Sequence, residues 1–262
     1  MSLKNGNATS DSISITNSAS IDTLTAWTTL MWLNLTALTG NRRYFAKASA
    51  SGSRSIQVDA TNTDELFLTQ GYGSTNANYI TNNADILVSK PLFIAVGYDE
   101  GAAAGDFFRA YVGTALPGRS DARACTFGTA TDPVGSIQSD AANPLVIGNT
   151  QPTGATRAIQ AYLSTVMHFS RRLSYAEILM LQAGPFLVPN CVLWFNFEQP
   201  RHGASYYDLS TRGNHGTVNG GTLGPIFPMQ QKKPRRYWDV PAAAGGTVVK
   251  DFIMMGVIPF KR

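Results

Sequence analysis

The sequence has few residues of the types that cross-link proteins or bind metals. Only two cysteines, Cys125 and Cys191, and three histidines occur among its 262 residues. Two cysteines cannot form a disulfide framework, and their spacing is not that of a metal site. We therefore expect both cysteines to be unpaired and to pack as small apolar side chains, as free cysteines usually do.

Long apolar segments are also absent. The sequence has no run of about 18 apolar residues, which is roughly the length that a membrane-crossing helix needs. Residues 1–11 lack the apolar centre of a secretory signal. These absences predict a protein that has no membrane span and is synthesised in the cytoplasm without ordinary export.

Low charge and frequent turn residues favour an all-β fold. Charged residues make up 15% of the chain and hydrophobic residues 44%, with 24 glycines and 13 prolines. This composition suits many short strands joined by turns, and it argues against disorder and against a helical bundle. The length fits one large sandwich with additions, because all-β domains often reach about 200–250 residues.

A short capped helix is the clearest local element. Residues 161–169 form a strand-like run that leads through Arg171 and Arg172 into an apolar segment. Ser174 is placed to be the N-cap of a helix, and Glu177, three residues later, is placed to bond back to it. The sequence therefore predicts a strand, a basic turn and then a helix.

This strand and helix resemble the closing segment of laminin G-like domains, which are jelly rolls of the concanavalin A type. Fragments that resemble the earlier strands of that family follow in the family's order over residues 8–183. They are residues 12–15, 21–24, 28–35, 45–48, 92–99, 108–113 and 145–149. The resemblance implies a two-sheet antiparallel jelly-roll sandwich with one short helix.

Residues 190–228 resemble a displaced part of the same fold. Residues 191–198 alternate like a half-buried strand, and residues 208–216 resemble the turn that normally opens a laminin G-like domain. We interpret this segment as a circularly permuted piece that completes the sandwich of residues 1–189, with residues 192–198 paired to the N-terminal region. The alternative is the truncated start of a second repeat, but about forty remaining residues are too few for another sandwich of about 100.

Acidic and amide residues in two turns raise the question of calcium. Residues 208–216, and the loop that contains Asp99, Glu100 and Asp106, carry the hard oxygen donors that calcium prefers. The same residue types stabilise tight turns through their backbone angles and side-chain hydrogen bonds. We favour the turn interpretation and expect no cofactor, with calcium as the open alternative.

Motifs of common catalysts are missing. Glycosidases use two carboxylates that flank the scissile bond, commonly as Glu-x-Asp-x-x-Glu in enzymes of this fold. None of the four glutamates, Glu65, Glu100, Glu177 and Glu198, has an aspartate two positions later. The sequence also has no Gly-x-Ser-x-Gly elbow, no His-Glu-x-x-His helix and no phosphate loop. We therefore predict that the protein is not an enzyme.

The C-terminal residues 229–262 differ from the rest of the chain in charge. From Lys232 to Arg262 there are seven basic and two acidic residues, whereas the whole chain carries a net charge of only +4. Apolar residues accompany this charge, and exposed apolar groups at such density are a liability unless something covers them. We predict an extended C-terminal arm that binds a partner. The predicted contact residues are Lys232, Lys233, Arg235, Arg236, Trp238, Phe252 and Phe260.

The order of these parts resembles that of structural proteins of bacteriophages and environmental viruses. The resemblance implies a non-catalytic virion structural protein, such as a capsid decoration protein, that is made in the host cytoplasm and displayed on the virion surface. Its arm would bind capsid or tail proteins and copies of the chain itself, and no direct nucleic-acid binding is expected. The alternative is a lectin-like carbohydrate-binding or host-adhesion module on a tail fibre or cell surface, with a host-surface glycan as its ligand.

Overall fold

The computed structural model describes most of the chain up to residue 223. The described residues are 3–5, 11–37, 41–47, 54–59, 65–82, 86–149, 157–199, 203–220 and 222–223. The chain divides into two compact units, Met1–Gln230 and Gln231–Arg262. The second unit, which holds nearly all of the predicted arm, lies outside the described residues.

The first unit is an all-β structure with one short helix, as the sequence predicts. Its helix α1 spans Tyr175–Ala183. In chain order its strands are β1 (Leu3–Asn5), β2 (Ser12–Ile15), β3 (Ala26–Ala37), β4 (Asn41–Lys47), β5 (Arg54–Asp59), β6 (Glu65–Gln70), β7 (Ala77–Thr81), β8 (Pro91–Asp99), β9 (Phe108–Thr114), β10 (Arg123–Ala124), β11 (Phe127–Thr131), β12 (Leu145–Ile147), β13 (Gln160–Phe169), β14 (Cys191–Asn196), β15 (Ser205–Tyr206), β16 (Gly216–Asn219) and β17 (Thr222–Leu223).

The strands form two antiparallel sheets, which confirms the predicted jelly-roll sandwich. The eight-stranded sheet has the order β10-β9-β8-β3-β13-β1-β17, and β14 also pairs with β13. Strand β1 pairs with the first half of β13, and β14 pairs with the second half on the same edge. The nine-stranded sheet has the order β11-β7-β6-β5-β4-β12-β2-β16-β15.

Strand β3 contributes to two apolar clusters, one on each of its faces. Side chains alternate along a strand, so Met31 and Leu33 join the core between the sheets, whereas Leu30 and Trp32 point to the other side. There they pack with apolar residues of α1 such as Ile178. The helix therefore covers the outer face of the eight-stranded sheet. No helix of the described residues is long and apolar enough to cross a membrane.

The predicted capping box of α1 is confirmed. The Ser174 hydroxyl accepts a bond from the Glu177 amide at 3.3 Å, and the Glu177 carboxylate accepts one from the Ser174 amide at 2.9 Å. Arg171 of the basic turn donates two bonds to the same carboxylate, at 2.6 and 3.0 Å. Arg172 donates to the carbonyl oxygen of Asp106 at 2.7 Å. Both arginines therefore have structural partners.

The C-terminal segment supplies two strands to each sheet, β14 and β17 to the eight-stranded one and β15 and β16 to the other. However, the predicted pairing of residues 192–198 with the N-terminal region is wrong. Strand β14 pairs with β13, and it is β16 that pairs with the N-terminal strand β2. Strand β1 pairs only with residues 161–163 of β13, so the edge of β13 after residue 163 is left for another strand. Helix α1 packs on the same sheet, and β14, the next strand after α1, pairs with this edge. The boundary between domains 1–189 and 190–228 stays a prediction.

Candidate functional site

The residues that the sequence predicts as partner contacts lie outside the described residues. Lys232, Lys233, Arg235, Arg236, Trp238, Phe252 and Phe260 all belong to the second unit. Their role stays a prediction.

The turn at 208–216 is organised around the carboxylate of Asp208. One oxygen of this carboxylate accepts bonds from the amides of Trp194 and Ser210, both at 2.9 Å. The other oxygen accepts from the Ser210 hydroxyl at 2.7 Å and from the Asn214 amide at 3.0 Å. These four donors tie the turn to β14, so turn geometry accounts for this aspartate. Within the described ranges, no three His, Cys, Asp or Glu residues are placed to hold a metal ion together.

A buried lysine joins the loops at one end of the sandwich. Lys47 ends β4, and its side chain is fully buried. Its ammonium group lies 2.7 Å from an Asp22 carboxylate oxygen and 3.7 Å from one of Asp140. It also donates to the carbonyl oxygens of Asp140 and Asn143, at 2.9 and 2.7 Å, and contacts the Asn17 side-chain oxygen at 3.5 Å. This oxygen cage holds a cation that the chain itself provides.

Acidic residues at the end of β8 and in the loop that follows it form ion pairs with arginines. Asp106 accepts two bonds from the Arg109 guanidinium, at 2.9 and 2.7 Å. These bonds lower the pKa of the Asp106 carboxyl. Arg172 lies 3.6 Å from carboxylate oxygens of both Asp99 and Asp106. The acidic residues of this loop therefore serve to anchor it.

The two cysteines are unpaired, as expected. Cys191 is buried, and Cys125 is partly buried. Burial raises the pKa of the Cys125 thiol to about 11 and that of the Cys191 thiol to about 12. Both side chains are therefore thiols at neutral pH and lack the thiolate that a nucleophile needs.

No helix of the described residues packs on the outer face of the nine-stranded sheet, because α1 packs on the other sheet. Strands β6 and β7 alternate there: Leu66, Leu68 and Tyr79 are buried in the core, whereas Phe67 and Ile80 lie on the opposite face and are partly exposed. Solvent-facing sides of antiparallel sheets are usually polar. An aromatic and a branched aliphatic side chain on such a face, on the second and third strands from the β11 edge, therefore require an explanation.

Strand register places these two residues in one row across the sheet. Thr129 of β11 lies opposite Ile80, and Ile80 lies opposite Phe67. Phe67 is opposite Gln57 of β5, and Gln57 is opposite Arg43 of β4. Directly opposite residues share a face, with neighbouring Cβ atoms about 4.5–5.5 Å apart. The row therefore runs from the Thr129 hydroxyl through Ile80 and Phe67 to the Arg43 guanidinium, with β5 between Phe67 and Arg43.

A second row widens this surface with uncharged polar groups. Asn78 lies opposite Thr131 of β11, two positions along the strand from Ile80. Thr129 and Thr131 are exposed. We call the surface formed by both rows the Phe67 face. Its residues are Arg43, Phe67, Asn78, Ile80, Thr129 and Thr131.

Arg43 is the charged member of the Phe67 face. Its amide donates to the carbonyl oxygen of Arg157 at 2.9 Å, which brings a second guanidinium close. Burial and the positive charge of Arg157 lower the pKa of Arg43 to about 10. The side chain is therefore still protonated at neutral pH, when it is a hydrogen-bond donor with no acceptor capacity.

The Phe67 face has the chemistry to bind a neutral or weakly acidic polyol. Thr and Asn side chains both donate and accept hydrogen bonds, as hydroxyl groups of a ligand require. Phe67 and Ile80 offer apolar contact to carbon-bound hydrogens. Specificity in ligand sites commonly comes from a few polar groups placed around such apolar contacts.

The sequence does not single out any residue of the Phe67 face. Residues 65–70 and 77–81 alternate with the period of a strand, and this signal alone predicts one exposed side. The face itself depends on how β4, β5, β6, β7 and β11 align. That register is set by turns and by pairing between distant segments, so no local motif reveals it.

Comparison with known proteins identifies the family. Residues 6–179 match the model of the concanavalin A-like lectin/glucanases superfamily. Because this match spans more than half of the chain, the protein belongs to that superfamily. The resemblance to concanavalin A-like domains is thereby confirmed, while the bacteriophage context stays a prediction. No curated protein sequence matches the chain.

Solved structures share the fold at low sequence identity. A proposed carbohydrate-binding protein from Bacteroides ovatus ATCC 8483 matches with a TM-score of 0.55 and 13% identity, over 86% of this chain and 61% of its own. The native heptameric SAP-like pentraxin from Limulus polyphemus matches with a TM-score of 0.51 and 11% identity, over 85% of this chain and 99% of its own. The chain thus spans less than two thirds of the Bacteroides protein, and both similarities concern the fold alone.

Proposed function

We propose that the protein is a non-catalytic carbohydrate-binding module and that the Phe67 face binds the glycan. The observation that carries this proposal is the row formed by Arg43, Phe67, Ile80 and Thr129 on a sheet face that no helix covers in the described part of the chain. Phe67 would contact the apolar side of a sugar ring. Asn78 and the threonines would exchange hydrogen bonds with its hydroxyl groups.

Two findings about relatives support a binding role. The superfamily includes lectins by its description, and the Bacteroides ovatus protein with the same fold is a proposed carbohydrate-binding protein. Folds host many functions, so the argument rests on the site and not on the family.

The glutamates support a non-catalytic role. Glu177 is engaged in the capping box of α1, and Glu198 accepts a bond from the Ser164 hydroxyl at 2.9 Å. Glu65 begins β6 and Glu100 follows β8. Glu177 and Glu198 thus have structural hydrogen-bond partners, whereas glycoside hydrolysis uses a carboxylate pair that flanks one bond.

A glycan array followed by calorimetry tests the proposal. The full chain is expected to bind at least one class of neutral or weakly acidic glycan. Replacing Phe67 by alanine removes apolar contact, and full burial of such a side chain contributes roughly 1.5–3 kcal/mol. Phe67→Ala and Asn78→Ala are therefore each expected to raise Kd by about tenfold or more, since 1.4 kcal/mol corresponds to tenfold.

Phe186→Ala is the matched control, because Phe186 is an exposed phenylalanine in the loop after α1, away from the Phe67 face. Its substitution should leave Kd within twofold. The proposal is wrong if the chain binds no glycan on the array, or if the double variant of Phe67 and Asn78 binds as tightly as the original chain while it remains folded.

The capsid or tail role stays a separate prediction. It depends on the C-terminal arm, and the residues of that arm lie outside the described part of the chain. Display of the module on a virion surface and binding to copies of itself are compatible with glycan binding, because the Phe67 face belongs to the first unit and the arm to the second.

A further inference from the structure

A cavity of about 400 Å³ lies at one edge of the eight-stranded sheet. It is found where β8 begins and β9 ends, and Leu92 and Val112 of these strands form part of its wall. Both side chains also belong to the core cluster between the sheets. The cavity therefore adjoins the apolar core from the eight-stranded sheet, whereas the Phe67 face belongs to the nine-stranded sheet.

The rim of the cavity is apolar as well. Leu87 lies in the loop before β8 and has 44% of its surface exposed. Leu116, in the loop after β9, completes this side. Each Å² of this apolar surface that a ligand covers contributes about 25 cal/mol. A ligand with an apolar body would therefore be favoured here.

Two cations stand beside this apolar wall. Lys90 and Arg123 line the cavity together with a single carboxylate, that of Asp121. The oxygens of Asp121 already accept bonds from the Thr114 amide at 2.9 Å, from the Thr114 hydroxyl at 2.7 Å and from the Gln182 side-chain amide at 2.6 Å. The cavity therefore has an excess of positive charge next to an apolar surface.

From this combination we propose that the cavity binds an amphiphilic organic anion. Its apolar body would lie against Leu87, Leu92, Val112 and Leu116, and its carboxylate or sulfonate would face Lys90 and Arg123. A volume of 400 Å³ lies within the usual range of ligand cavities, roughly 300–1,000 Å³. The cavity shares no residue with the Phe67 face, so the inference does not depend on the proposed glycan binding.

Fluorescence titration of the full chain with 8-anilinonaphthalene-1-sulfonate tests the site. This probe combines an aromatic body with a sulfonate, and its emission rises in an apolar environment. Saturable binding is expected, with displacement by decanoate added below its micelle concentration. Leu87→Asp places a negative charge at the rim, which repels the sulfonate of the probe, and should raise the Kd of the probe at least tenfold. Leu87→Ser should act in the same direction without adding charge.

Leu187→Asp is the matched control, because Leu187 is a leucine with 51% exposure that does not line this cavity. This variant should bind the probe within twofold of the original chain. Equal losses in the Leu87 and Leu187 variants, or no loss in either Leu87 variant, would overturn the site.

A separate experiment tests whether Lys90 and Arg123 recognise the anionic group of the ligand. Lys90→Gln and Arg123→Gln should each weaken displacement by decanoate about fivefold, but should change displacement by the neutral analogue decanol less than twofold. Thermal melting of each variant shows whether it is folded. If both ligands lose affinity to the same extent in folded variants, the cations do not recognise the anion and the proposal is wrong.

Discussion

At the scale of single residues, Lys47 is a fully buried cation that pairs with two aspartates from different loops. A fully buried ammonium is costly unless opposite charges and hydrogen-bond acceptors surround it. Here the carboxylates of Asp22 and Asp140 and two carbonyl oxygens satisfy it. The same contacts connect the loop before β3 to the loop before β12, so one side chain fixes two segments that are distant in sequence.

Replacing Lys47 by methionine should therefore be strongly destabilising. The variant leaves Asp22 and Asp140 without their cation, and removal of one partner from a buried ion pair typically costs about 3–5 kcal/mol. Urea unfolding followed by tryptophan fluorescence measures the change. Lys90→Met, at an exposed lysine, should change the free energy of unfolding by about 0.5 kcal/mol or less. A loss below 1 kcal/mol for Lys47→Met would contradict the importance of the cage.

Glu177 makes stability depend on pH. The bonds from the Arg171 guanidinium, helped by those from Ser174, lower the pKa of its carboxyl to about 2. An unfolded glutamate titrates near 4.3. Because the folded value is the lower one, the ionised group stabilises the fold above about pH 4.5, and this contribution is lost as pH falls towards 2.

Glu177→Gln should therefore destabilise the protein at pH 7 by about 1–2 kcal/mol, a partly exposed pair with a helix cap being worth about this much. The difference from the original chain should shrink between pH 4.5 and 2.5 in urea unfolding. Glu100→Gln, outside the capping box, is the control. A Glu177→Gln deficit that is the same at pH 7 and pH 2.5 would show that charge is not its cause.

At the scale of elements, the C-terminal strands close both sheets. Phe195 of β14 and Ile13 of β2 are fully buried in the core. Gly216, at the start of β16, lies against both: a Cβ atom at this position would be 2.6 Å from Ile13 Cγ2 and 2.8 Å from Phe195 Cζ. The absence of a side chain at residue 216 thus lets β16 pair with β2 while it lies against Phe195.

Gly216→Ala should consequently destabilise the sandwich by about 1–3 kcal/mol, as overpacking of a core does. Gly184→Ala is the matched control, because a Cβ atom there meets nothing within 4 Å and the backbone is extended. That change should be neutral or stabilising by up to about 1 kcal/mol. Urea midpoints that are equal for the two variants would show that the close approach at Gly216 is not important.

What the sequence predicts about elements depends on how local the cause is. The capping box of α1 is correctly predicted because Ser174 and Glu177 are three residues apart and their contacts are local. Composition indicates an all-β fold, and the jelly roll is predicted by the resemblance of the strand fragments, in their order, to laminin G-like domains. The partner of β14 is predicted wrongly because pairing depends on which sheet edge remains free. The Phe67 face and the Lys47 cage require register and loop contacts between distant segments, which no local pattern encodes.

At the scale of the whole molecule, charge is divided unevenly between the two units. The residues after Gln230 carry a net charge of +5, from seven basic and two acidic residues, whereas the first unit carries a net charge of −1. Interactions of the arm with an acidic surface should therefore be weakened by salt, because the Debye length falls from about 10 Å at 0.1 M to about 3 Å at 1 M. Its apolar residues, such as Trp238 and Phe252, should give contacts that salt does not screen.

Truncation after Gln230 should leave a folded first unit and remove most electrostatic attachment. The two sheets, the core and all described contacts lie before this residue, so the melting temperature should change by no more than about 2 °C, the shift expected from about 0.5 kcal/mol in a domain of this size. Retention on a cation-exchange resin at neutral pH should be lost. In the full chain, glutamine at Lys232, Lys233, Arg235 and Arg236 should lower the salt concentration at elution while leaving the melting temperature unchanged. A truncated chain that melts more than 5 °C lower would show that the arm belongs to the fold, and one that is retained as strongly as the full chain would show that the first unit carries the attachment.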